Sequence, residues 1–96
     1  MASVESKVQT KIIKYLKSKK CYVIKTKPGP GTPLGCPDII FFYEGFWGAI
    51  ECKAFSTSPF RTLQKETLDK FSTWSWSAVA HSENVDDVIA ELDDIL

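Results

Sequence analysis

Two apolar runs around a two-residue turn constrain this chain more than any other feature. Asp38-Ile-Ile-Phe-Phe-Tyr43 and Phe46-Trp-Gly-Ala-Ile-Glu-Cys-Lys53 flank Glu44-Gly45. Runs of β-branched and aromatic residues bounded by turn residues predict strands, and so tight a connection predicts a hairpin. The runs are almost unbroken rather than alternating, which predicts strands buried on both faces. Layers of other structure must then cover the sheet.

The rest of the chain supplies those layers. Val4, Val8, Ile12 and Leu16 recur at helical spacing, with Ile13 and Tyr15 beside them and Ser3 placed to cap, so a helix is predicted over residues 3–19. Cys-Tyr-Val-Ile-Lys-Thr over 21–26 predicts a strand. Pro28-Gly-Pro-Gly-Thr-Pro-Leu-Gly-Cys-Pro37 has four prolines and three glycines and can be neither helix nor inner strand. So long a loop in a small domain tends to be functional or mobile. A second loop is expected at 56–59. Leu63, Thr67, Leu68 and Phe71 predict a helix over 60–72, and 75–81 predicts a fourth strand in which Trp76 packs inward. Trp74 is expected in the packing too, although either indole could stack on a base. A last helix is predicted from Ser82, with Val85, Val88, Ile89, Leu92 and Ile95 as its buried stripe. The order α-β-β-β-α-β-α points to an α/β fold, one mixed sheet of about four strands flanked by helices.

At 96 residues, with 44% apolar and 12% aromatic side chains, the chain reads as a single domain over 1–96. A domain this size buries only about 60–65% of its unfolded surface, so a second copy would help it. The start of the chain carries no signal-like apolar segment, and no stretch reaches the ~18 apolar residues of a membrane span. A soluble, cytoplasmic protein with no membrane partner and no nucleotide cofactor is expected, acting inside the host cell if it is phage-encoded. Cys21, Cys36 and Cys52 are odd in number and fit no zinc spacing, so three reduced, partly buried thiols are expected. The formal charge is zero, yet residues 1–27 hold eight lysines against Glu5, and residues 83–96 hold six acids and no base. The basic half could attract nucleic acid or be a merely solvated face.

The chemistry is concentrated where polar residues interrupt the hairpin. Asp38 opens one strand, and Glu51 and Lys53 lie near the end of the other. Residues two apart in a strand share a face, so Glu51 and Lys53 point one way and Cys52 the other. With the turn at Glu44-Gly45, Asp38 joins them at the same end. Charges beside a core are rarely kept unless paired or metal-bound. Two acids against one lysine leave a negative excess that a divalent cation would neutralise, and hard oxygen ligands suit Mg²⁺ or Mn²⁺.

Pro37-Asp38, twelve intervening residues and then Glu51-Cys52-Lys53 resemble the PD-(D/E)XK nuclease signature. The longer pattern Gly35-Cys36-Pro37-Asp38-Ile39-Ile40, followed by Ile50-Glu51-Cys52-Lys53, is similar to the viral-type replication-repair nuclease (VRR-NUC) family. Glu5, early in the first helix, and Gln64, at the start of the helix after the lysine, match two further family positions. The resemblance extends over about residues 4–92. Cys36 and Cys52 depart from the usual aliphatic residues but are still small and apolar.

The resemblance implies a restriction-endonuclease-like fold and a metal-dependent endonuclease acting on DNA. Asp38 and Glu51 would bind Mg²⁺ or Mn²⁺, with the Cys52 backbone carbonyl as a further ligand. Lys53 would orient or deprotonate the attacking water, or stabilise charge on the phosphate. Gln64 and Glu5 would complete the catalytic group. Stand-alone relatives of this kind imply a homodimer cutting branched DNA such as four-way (Holliday) junctions. The alternatives are a nick-, flap- or end-processing nuclease, or a non-catalytic DNA-binding module. Lys27, Arg61, Lys65, Lys14 and Lys17 are the candidate DNA contacts. His81 has no partner pattern around it and reads as structural. The hairpin tip Tyr43-Glu44-Gly45-Phe46-Trp47 is the expected dimer contact.

Overall fold

The computed structural model describes residues 2–96. In chain order these form α1 (Val4–Ser18), β1 (Tyr22–Lys25), β2 (Ile39–Tyr43), β3 (Phe46–Cys52), α2 (Gln64–Trp74), β4 (Trp76–Ala80) and α3 (Val85–Ile95). The order is the expected one. One mixed sheet runs β1-β2-β3-β4, antiparallel across the first two pairs and parallel between β3 and β4. A parallel pair needs a crossover, and α2 supplies it.

The hairpin register follows from its turn. Glu44 and Gly45 have φ of +42° and +86°, the left-handed pair that a type I′ turn requires. Tyr43 therefore faces Phe46, and the ladder runs back to Ile39 opposite Ile50. Helix α1 is capped by Ser3, whose hydroxyl accepts from the Ser6 N–H at 3.1 Å. It closes with the Lys20 N–H on the Lys17 carbonyl and the Cys21 N–H on the Leu16 carbonyl. Lys20 adopts φ +64° there, the position that glycine usually fills in this motif.

The sheet has two unlike faces. Ile39, Phe41, Ile50, Cys52 and Ala80 point to the back face, where Val8, Ile12 and Leu16 of α1 and Val85, Val88 and Leu92 of α3 close the core. Phe41 crosses Gly48, where an added Cβ would lie 2.7 Å from its ring. The front face carries α2 over β3 and β4 only, with Phe71 edge-on to Trp47 at 5.4 Å and the Ser77 hydroxyl on the Leu68 carbonyl. Over β1 and β2 it is open, leaving Tyr22, Ile24 and Phe42 at 72%, 41% and 44% exposure. Burial on both faces thus holds for β3 and fails for the outer half of the sheet.

Four further expectations change. Helix α2 starts at Gln64, not residue 60, because Leu63 sits in a left-handed conformation at φ +69° that no helix continues through. Helix α3 starts at Val85 after a turn over 82–84. Trp74 is exposed against Phe71 rather than buried, and Ile95 in the last turn of α3 is exposed too. Trp76 packs as expected, edge-on to Phe41 and donating to Glu91. No helix among the described residues is long and apolar enough to cross a membrane.

Candidate active site

The β2–β3 ladder, extended one pair past Ile39 and Ile50, sets Asp38 opposite Glu51 on the front face. Directly opposed side chains share a face at close range. Both residues are tied to the sheet. The Asp38 carbonyl accepts from the Thr26 N–H at 2.9 Å, and its carboxylate Oδ2 accepts from the Cys52 N–H at 2.8 Å. Lys53 continues β3 by donating its N–H to the Ala80 carbonyl at 2.8 Å, so its side chain joins that of Glu51 in front.

Gln64 holds the group together from α2. Its amide Nε2 donates to Glu51 Oε2 at 2.8 Å, and its Oε1 accepts from Lys53 Nζ at 2.8 Å and from the Arg61 N–H at 2.6 Å. Lys53 Nζ stands 3.3 Å from the same Glu51 oxygen and 5.2 Å from the centre of the Phe60 ring. Glu51, Lys53 and Gln64 are 2%, 6% and 4% exposed. The amide's orientation is forced: reversed, it would set NH₂ against an ammonium and oxygen against a carboxylate. Phe60 is not a candidate site residue in the sequence, where one aromatic in a loop carries no signal of a role beside Lys53.

One atom of this cluster is left over. Glu51 Oε1 is buried without a hydrogen-bond partner, the single such side-chain atom among the described residues. A buried unpaired carboxylate oxygen is costly. Burial first, and then the neighbouring Asp38 charge, push the Glu51 carboxyl up to about 7, while Lys53 pulls the other way. The donor set fits a hard cation: two opposed carboxylates, one with a free oxygen. In an extended strand a residue's N–H and C=O point to the same side, so the Cys52 carbonyl also faces the Asp38 side. Among the described residues no three His, Cys, Asp or Glu side chains gather as a metal cage. The protein would therefore supply two acids, with a backbone oxygen and water completing the shell, as is common for Mg²⁺.

Access is through a cleft of about 540 Å³ between the proline-glycine loop and residues 61–64, with Asp38 and Gln64 in its wall. Gly35 fixes that loop. It has φ +81°, and an added Cβ would lie 2.7 Å from the Leu63 carbonyl oxygen. The left-handed Leu63 is thus seated on Gly35, immediately before Gln64. Thr26 ties down the loop's end by donating its hydroxyl to the Pro37 carbonyl at 2.6 Å.

The other expected residues fall into two groups. Arg61 lines the cleft, while Lys27 and Lys65 are exposed near its two walls. Glu5 is on α1, behind the sheet at the same end. It makes no hydrogen bond with the cluster, and its charge is felt instead by the Cys52 thiol, which burial and then Asp38, Glu51 and Glu5 push up. Lys14 and Lys17 lie exposed on α1, also behind the sheet. Two of the eight lysines in residues 1–27 are engaged within the chain: Lys11 pairs with Asp86 at 2.6 Å and Lys19 with Asp93 at 3.0 Å, joining α1 to α3. All three cysteines are free, with Cys21 and Cys52 buried. The His81 Nδ1 accepts from the Glu83 N–H in the turn before α3, a structural role. Comparison with family models, with curated proteins and with solved structures finds no match to this chain.

Proposed function

We propose that the chain is a metal-dependent endonuclease with a restriction-endonuclease-like fold, hydrolysing DNA phosphodiester bonds and selective for branched DNA such as four-way junctions. Nick, flap or end processing is the near alternative within the same chemistry. The observation that carries the reading is the Glu51 carboxylate, buried opposite Asp38 with one oxygen unpartnered and the other held by Gln64 and Lys53. An ion pair kept only for stability leaves no such oxygen. The resemblance of Pro37-Asp38 and Glu51-Cys52-Lys53 to the nuclease signature points the same way.

Mg²⁺ or Mn²⁺ held by Asp38, Glu51 and the Cys52 carbonyl would supply Lewis-acid polarisation of a phosphate oxygen and a more acidic water. The chain's own residues do the positioning. A lysine ammonium has three N–H donors. Gln64 and Glu51 engage Lys53 on one side, leaving donor capacity for charge developing on a phosphate. Gln64 fixes the separation of acid and base, and Arg61 in the cleft wall is placed to meet the strand's phosphates. Glu5 behind the sheet acts on the site through charge rather than contact. A non-catalytic DNA-binding module is the rival reading, but it has no use for a buried acid with a free oxygen.

The assay is incubation with labelled duplex, flap and four-way junction DNA, with Mg²⁺, with Mn²⁺ and with a chelator. Metal-dependent internal cuts, strongest on the branched forms, are the expected result, and no cutting of any substrate would sink the reading. Paired cuts in a junction further call for a homodimer. The exposed Tyr22 and Phe42 beside the hairpin tip, around a recess of about 510 Å³, are the surface offered for it. Sedimentation equilibrium showing only a 10.8 kDa species would remove the dimer.

A further inference from the structure

The cleft beside the acids has a chemistry of its own. One wall is the proline-glycine loop, which presents the rings of Pro28 and Pro33 and the side chain of Leu34, 79% exposed. So exposed an aliphatic side chain adds little to the core. The opposite wall carries Arg61, which forms no ion pair among the described residues. Asp38 and Gln64 form part of the same lining. The cleft is held open by built-in bonds. Turns close from the Thr32 N–H to the Gly29 carbonyl and from the Cys36 N–H to the Pro33 carbonyl, and Gly35 is seated on Leu63.

Flat apolar surface next to an unpaired guanidinium suits a ligand with a flat apolar part and an anionic part. A single nucleotide is such a ligand: its base can lie against proline, leucine or the guanidinium plane, and its phosphate can meet the cation. At about 540 Å³ the space is of small-ligand size and admits no duplex. Glu51 is only 2% exposed, so a phosphate reaching the acids must come down into the cleft mouth. A strand held in a duplex is kept out by its complement, whereas an unpaired nucleotide can enter. Extruding a base costs least where it is already unpaired.

We infer that this cleft binds one unpaired nucleotide of the DNA strand next to the bond being cut. The inference rests on the nuclease reading and sharpens it. Selectivity would come from an unpaired nucleotide, which a flap offers outright and which a nick or a fully paired four-way junction offers once the base pair beside the break or crossover opens, not from overall shape.

The test separates this from cleavage itself. Two duplex probes, identical except that one carries a single unpaired 2-aminopurine nucleotide, are titrated with the protein at low salt with a chelator present. Affinity is read by anisotropy, and seating of the base by 2-aminopurine emission. The unpaired probe should bind about tenfold tighter, as burial of one base against apolar side chains and a guanidinium warrants, with a change in emission on binding. Leu34→Ala and Arg61→Ala should bring the two affinities together. Leu34 is a surface side chain, so that variant should fold normally. Equal affinities in the unaltered protein would overturn the inference even if metal-dependent cutting is found. A preference that Leu34→Ala abolishes would support it even if no cutting is found. Emission that does not change on binding would also overturn it.

Discussion

The molecule uses opposite charges in two places, to opposite ends. Between α1 and α3, Lys11–Asp86 and Lys19–Asp93 lie in water, with side chains 40–82% exposed and Tyr15 donating to Asp93 at 2.7 Å. On the front face, Asp38, Glu51, Lys53 and Gln64 meet where the Glu51 and Lys53 side chains are 3% and 7% exposed. The exposed pairs are screened, so they add little beyond bringing the basic and acidic segments together. In the buried group the desolvation of Glu51 outweighs the attraction of Lys53, and its carboxyl rises to about 7. Asp93 goes the other way: Tyr15 and then Lys19 hold its carboxyl below the usual range. One cluster is a fastening, and the other stores an electrostatic cost that a cation would relieve.

Breaking the buried cluster should have by far the larger consequences. Asp38→Ala, Glu51→Ala and Lys53→Ala should each lower single-turnover cleavage of branched DNA by ~10²–10³-fold or more with the fold retained. Near-normal turnover in any of them would remove that residue from the site. Gly35→Ala acts one step away. It forces a Cβ against the Leu63 backbone at φ +81° and should cost on the order of 1–3 kcal/mol in denaturant titrations. It should also slow cleavage by displacing Gln64.

The pH dependence separates the clusters further. Glu51 binds its proton more tightly folded than unfolded, so its ionisation opposes folding. In the metal-free protein, stability should be greatest below pH ~4.5 as far as this group decides it, fall as pH rises through about 7, and then level off. The loss should be on the order of 2 kcal/mol, short of the full shift because water reaches the mouth of the site. Glu51→Gln should therefore stabilise the metal-free protein at pH 8 by about 1–2 kcal/mol while abolishing cleavage; urea midpoints at pH 5 and pH 8 read this out. The smallest effect belongs to the fastening. Lys11→Ala and Asp93→Asn should leave the urea midpoint almost unmoved, and a large loss there would reverse the ranking of the two clusters.

Much of the buried cluster was legible in the sequence because a hairpin counts residues. With the turn at Glu44-Gly45, Asp38 had to oppose Glu51, and the period of two put Lys53 beside it. Gln64 was found through its resemblance to a family position. Its burial was not legible, because that depends on Leu63 turning left-handed against Gly35, a contact across 28 positions that no local pattern records. The lysine face is only partly legible for a related reason. Its surplus of charge is real, yet two of the lysines are engaged by acids of α3 that only tertiary packing brings near. The strand runs 39–43 and 46–52 looked equally buried, but on the front face α2 packs over β3 and β4, and Phe42 is left in the open.

The measurement closest to the central claim is calorimetric titration of Mn²⁺ or Mg²⁺ into the protein at pH 8, beside Glu51→Gln and Asp38→Asn. If the unpartnered Glu51 oxygen and Asp38 form a cation site, the unaltered protein should bind the metal saturably, and each substitution should weaken binding at least tenfold. No detectable binding, or binding unchanged in both variants, would contradict it.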